Sequence, residues 1–216
     1  MRPYSKSNRV APSSFRWRSV AAMAVLAAGL WLVTFGCACG NFWFKISASA
    51  ALLAGLSLAI DRPTEGGARF KAVDVPIGLA SAALLYGVFC LGKLVSTTLF
   101  PFAQAQIGGI YGRAEGTPVW LITLLLLFVT GPAEEIFWRG FIQRRLMDGL
   151  GGRRGWLAAT ALYAGVHVST LNFMLIGAAA VAGAYWGFLY WRLGRLAPIV
   201  ISHSIWSAFI FTVLPV

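Results

Sequence analysis

Acidic side chains are scarce in this chain of 216 residues, seven against eighteen Lys and Arg, and histidine is scarcer still, with two. Charged residues of both signs amount to 12%, hydrophobic ones to 58%, and mean hydropathy is +0.73. A soluble globular domain carries about twice that share of charge, so this composition excludes one and points to a polytopic membrane protein. Internal repeats, low-complexity tracts and a separate soluble domain are lacking. The sequence has no HExxH, the helical zinc signature. Its three cysteines, Cys37, Cys39 and Cys90, lie in apolar context without metal-type spacing and are expected to be small core residues.

What the chain has instead is long apolar runs. Stretches able to cross a bilayer predict seven spans, Val20–Ala38, Phe42–Ile60, Val75–Leu99, Val119–Phe141, Trp156–Val168, Phe173–Trp191 and Ala197–Val216. Gly131-Pro132 interrupts the fourth, which predicts a kink. The basic excess would suggest nucleic acid in a soluble chain; here it collects in alternate loops. Arg2, Lys6, Arg9, Arg16 and Arg18 precede the first span, and Arg62, Arg69 and Lys71 follow the second. Arg144, Arg145, Arg153 and Arg154 follow the fourth, and Arg192 and Arg195 the sixth, so fourteen of the eighteen fall on one side. Basic loops stay in the cytoplasm. The expected protein is therefore an all-α, multi-pass bundle of the cell membrane with its N-terminus cytoplasmic, its C-terminus outside and no nucleic-acid partner. The basic start followed by an apolar run has no small-x-small cleavage site near Cys37-Ala38-Cys39-Gly40, so a retained first helix is expected rather than a signal peptide. Phe100–Pro118, with Gly108-Gly109 and Gly112, is expected to be a flexible loop.

Ionisable groups inside a membrane are costly and mark working sites. Both histidines, His167 and His203, lie in apolar runs, as does the adjacent acidic pair Glu134-Glu135. With about 1.5 Å of rise per residue, Glu134 lies about 15 Å, His167 about 18–20 Å and His203 about 12 Å from the cytoplasmic ends of their spans. A shared cavity in the cytoplasmic half of the bilayer follows as an expectation. Glu135 and Arg139 are four apart, the spacing at which a carboxylate and a guanidinium share one helix face. Glu135 is thus expected to brace the site, leaving Glu134 to take a proton as a general base.

The motifs carrying these residues are Glu134-Glu135-Ile-Phe-Trp-Arg139, Tyr163-Ala-Gly-Val-His167 and His203-Ser-Ile-Trp-Ser207. In order and placement they resemble the three motifs of the CAAX protease and bacteriocin-processing family, intramembrane proteases that include type II prenyl endopeptidases. The resemblance covers the C-terminal part of the chain, from Pro118 to Val216. It divides the sequence into a basic tail (1–19), N-terminal membrane helices and loops (20–117) and a catalytic core (118–216). It implies an endopeptidase without cofactor, acting on a membrane-associated or lipid-anchored peptide or protein. Glu134 and His167 would activate a water, His203 and Ser207 would stabilise the oxyanion, and Glu135 and Arg139 would support them. Ser207 departs from the family's asparagine, and a hydroxyl offers one donor where an amide offers two.

Two rival readings use the same residues. Two His and two Glu could ligate zinc, although Arg139 would then set a cation beside the metal. Buried Glu and His also serve proton relays, so a proton-coupled transporter or a non-catalytic membrane chaperone is the alternative class; seven spans without paired, interrupted halves speak against a transporter. Cleavage near the cytoplasmic face would suit a prenylated tail, a bacteriocin leader or a C-terminal sorting helix. Trp138, Phe141, Trp186, Tyr190 and Trp206 could form an apolar groove, but a membrane-interface belt or lipid-facing packing is the favoured reading of these aromatics.

Overall fold

A backbone in hydrocarbon must satisfy its hydrogen bonds within its own segment, and the apolar runs accordingly become helices. A computed structural model describes residues 13–62 and 70–216, and the described residues contain no strand. The helices are α1 (Ser13–Gly36), α2 (Phe42–Ile60), α3 (Asp74–Leu99), α4 (Ala103–Tyr111), α5 (Val119–Leu150), α6 (Gly152–Gly165), α7 (Phe173–Leu193) and α8 (Ala197–Thr212). Residues 1–12 of the expected tail and residues 63–69, with Arg69, lie outside the described residues, while 13–19 already belong to α1.

Five helices, α1, α2, α3, α5 and α7, are long and apolar enough to cross a membrane. The other two predicted spans are shorter: α8 has 16 residues and α6 has 14. At about 1.5 Å per residue, α6 reaches only about 21 Å. It stops at Gly165, and a turn through Leu171, in the left-handed region with φ 51°, leads to the Asn172 cap of α7. The Asn41 side chain caps α2 by accepting from the Trp43 and Phe44 N–H groups.

α5 continues through Gly131-Pro132. Wider, π-type windings at Leu126–Thr130 and Trp138–Gln143 bracket the turn that holds Glu134 and Glu135. Pro132 lacks an N–H and its ring would collide with the carbonyl four residues earlier; the wider winding before it absorbs that defect. Gly131 faces α8 so closely that a Cβ would collide with the Ser204 Cα and Oγ. α8 packs between α3 and α5, α2 against α1 and α5, and α6 against α7. Leu84, Leu91 and Leu94 of α3 point outward and are exposed, as lipid contact requires.

The two ends of the bundle are closed differently. At the basic end, Asp61 pairs with Arg144 and Arg145, and Asp74 with Arg195. Arg144 and Arg145 are buried, so these cations fasten helix ends. At the opposite end Cys37 and Cys39 form a disulfide in an exposed turn, and Cys90 is exposed on α3. None of the three is a core residue, because α1 ends before the first pair and the outer face of α3 carries the third. The Phe100–Pro118 segment is helical over α4, and Gln106 ties it to the start of α7 through Asn172 and Met174.

A reporter fused after Val216 is expected to score extracytoplasmic and one at Gly149 cytoplasmic; a result placing both on one side refutes this orientation. Gly131→Val should lower the Tm of the detergent-solubilised protein, because its side chain has no space against Ser204.

Candidate active site

The acidic pair sits midway along α5, where successive residues on a helix point about 100° apart. Glu135 is fully buried at 0% exposure. Its Oε1 accepts from Arg139 Nη1 at 3.0 Å and lies 2.6 Å from His203 Nδ1. The i, i+4 pairing with Arg139 is as the sequence predicts; the second partner, His203 from α8, could not be read from spacing. Arg139 also donates to the Gly183 carbonyl at 3.4 Å, and its guanidinium lies over the faces of Tyr163 and Trp186, 4.9 and 5.6 Å from their centroids. The imidazole of His203 stacks on Trp186 at 3.9 Å between centroids. A carboxylate on Nδ1 leaves Nε2 available to the cavity that His203 lines.

Glu134 points elsewhere. Its Oε2 accepts from the Tyr163 hydroxyl at 2.9 Å. His167 is joined to Glu134 only indirectly, since His167 Nδ1 lies 2.9 Å from the Tyr163 carbonyl, one turn back. Trp31 of α1 donates its indole N–H to His167 Nε2 at 3.1 Å. A carbonyl on one ring nitrogen and an N–H on the other select the neutral tautomer protonated at Nδ1. Tyr163 thus bridges Glu134 and His167.

Glu134, Tyr163, His167, His203 and Ser207 all line one cavity of about 440 Å³. Ser207 is buried one turn along α8 from His203. The six expected site residues are therefore brought together, with Glu135 and Arg139 behind the cavity wall. His167 lies past the end of α6 and packs on Trp31 and Phe35 near the end of α1, on the side away from the basic loops.

Trp31 and the bridging role of Tyr163 were not read from the sequence. An N-terminal tryptophan among nine carries no signal that it will meet a histidine 136 residues away. Among the groove candidates, Trp186 and Trp206 line the cavity. Trp138, Phe141 and Tyr190 are core residues, each at most 2% exposed, and form neither a lipid-facing nor an interfacial belt.

Glu135 and His203 are committed to each other and to Arg139, both nitrogens of His167 are engaged, and no group of three His, Cys, Asp or Glu among the described residues is placed to hold an ion.

Arg139→Ala should cost about 3–5 kcal/mol, the usual penalty for leaving a buried charge unpaired. The expected observation is a large loss of Tm in detergent; wild-type stability would show that Glu135 does not depend on Arg139.

Neither curated proteins nor solved structures give a match to this chain. Residues 116–209, a little under half of it, match the family model described as Type II CAAX prenyl endopeptidase Rce1-like, and every cavity residue named above except Trp31 and Phe35 lies within them. The match bears out the resemblance carried by the three motifs: residues 116–209 form a CAAX protease-like domain in a multi-pass membrane protein.

Proposed function

We propose that this protein is an intramembrane endopeptidase that hydrolyses a peptide bond of a membrane-associated substrate through a water activated by Glu134. The observation that carries the reading is the buried carboxylate of Glu134, opening on the cavity with the Tyr163 hydroxyl on one oxygen. The family match supports a CAAX-type peptidase in general.

Each group then has a task. Glu134 takes a proton from the water as its oxygen bonds to the scissile carbonyl carbon. The carbonyl electron pair moves to oxygen, where His203 Nε2–H and the Ser207 hydroxyl donate to it. The Glu135 carboxylate supports the charge of the protonated imidazole, and the Trp186 face stacks against it. As the tetrahedral intermediate collapses, the C–N bond breaks and Glu134 passes its proton to the leaving amine. His167 contributes Nε2 to the water once the Trp31 indole yields that nitrogen, and Tyr163 holds both partners in register. Removing one donor to a developing oxyanion costs roughly 10²–10³ in rate, so His203→Ala should be severe.

Glu134→Gln and His167→Ala should each abolish Glu134-dependent cleavage while the protein still folds. The double variant should be no worse than either single one, because groups acting as a unit are strongly non-additive. Peptides lost from the membrane peptidome of Glu134→Gln cells, against wild type, give the readout; identical peptidomes would remove Glu134 from this role. Ser207→Asn should preserve or raise turnover.

Chelators should leave turnover of the purified protein unchanged. Activity lost to chelation and restored by zinc would overturn the carboxylate mechanism.

A further inference from the structure

The walls of the catalytic cavity come from one end of the bundle. Besides the reacting cluster, they include Phe35 in the last turn of α1, Phe42 at the start of α2, Ile110 of α4, Phe173 at the start of α7 and Phe211 at the end of α8. All of these sit where the chain turns away from the basic loops. On the basic side Tyr190, Leu196 and Gln143 are buried and do not line the cavity, with Gln143 donating to the Gly187 carbonyl at 2.7 Å. The Arg144 and Arg145 pairs with Asp61 lie at that end.

Two independent observations say which face the open end is. Among the described residues Arg18, Arg62, Lys71, Arg144, Arg145, Arg153, Arg154, Arg192 and Arg195 belong to the opposite end, and such loops remain cytoplasmic. The Cys37–Cys39 disulfide is at the open end, and disulfides persist in oxidising, extracytoplasmic surroundings. The cavity also reaches the lipid-facing surface sideways: Val88 and Gly92 of α3 and Gly177 and Val181 of α7 line it and are themselves exposed.

We infer that the site is entered from the extracytoplasmic half of the bilayer, through the seam between α3 and α7, so that its substrate is a membrane-anchored peptide stretch displayed at the outer leaflet after translocation. The substrate class rests on the peptidase reading; the side of entry does not. A cytoplasmic lipidated tail would approach from the end whose basic residues do not line the cavity. The apolar, aromatic walls suit an extended segment with large hydrophobic side chains, whose backbone reaches Glu134 from above.

The test reads access without turnover. In a Cys90→Ser background, Ala178→Cys on the α7 wall is exposed to a permanently charged methanethiosulfonate in right-side-out and inside-out membrane vesicles. Phe173→Cys at the outer rim and Arg153→Cys at the basic end serve as orientation controls, and Val181→Cys replaces Ala178→Cys if that variant does not accumulate. The wall cysteine should react in right-side-out vesicles and lose its labelling in inside-out ones. Reaction from the inner face, or in neither preparation while the controls react, overturns the inference. Cleavage sites lost in Glu134→Gln cells should map to outward-facing segments, and their mapping to cytoplasmic segments also overturns it. Outer-face labelling with no Glu134-dependent peptide sinks the peptidase reading and leaves the side of entry standing.

Discussion

The buried chain Arg139–Glu135–His203 is the constraint on which the site depends. It crosses from α5 to α8, and its carboxylate sits at 0% exposure. A charge taken out of water is tolerated only when it is paired and hydrogen-bonded. The ring faces of Trp186 and Tyr163 line the same shell, so the cation is met by π-electrons as well as by the carboxylate. If α8 shifted along α5, Glu135 would lose one of its two partners, and the register between these helices is fixed accordingly. Gly131 makes the same crossing tight from the other side.

The winding of α5 serves that crossing. Two π-type segments place the acidic pair on a short α-helical turn between wider ones. Neighbouring carboxylates on one helix would otherwise compete for the same surroundings. Here one faces the ion chain and the other faces the cavity.

Much of this was legible in the sequence for definite reasons. Long apolar runs declare helices because lipid offers the backbone no alternative partner, and i, i+4 spacing declares the Glu135–Arg139 pair because helical geometry is local. The three motifs placed Glu134, His167, His203 and Ser207 on one site. What stayed hidden was non-local: that His203 shares Glu135, and that Tyr163 rather than His167 touches Glu134. The cysteines were misread because hydropathy does not register that a helix has already stopped at Gly36.

Trp31 belongs to the first helix, outside the segment that matches the family model, yet its indole occupies a nitrogen of one of the two histidines. The recognisable half of the chain therefore does not own its site outright. Sequence drift in α1, invisible to any comparison restricted to residues 116–209, would change what contacts His167, and two chains with identical motifs can differ in the partner of that nitrogen.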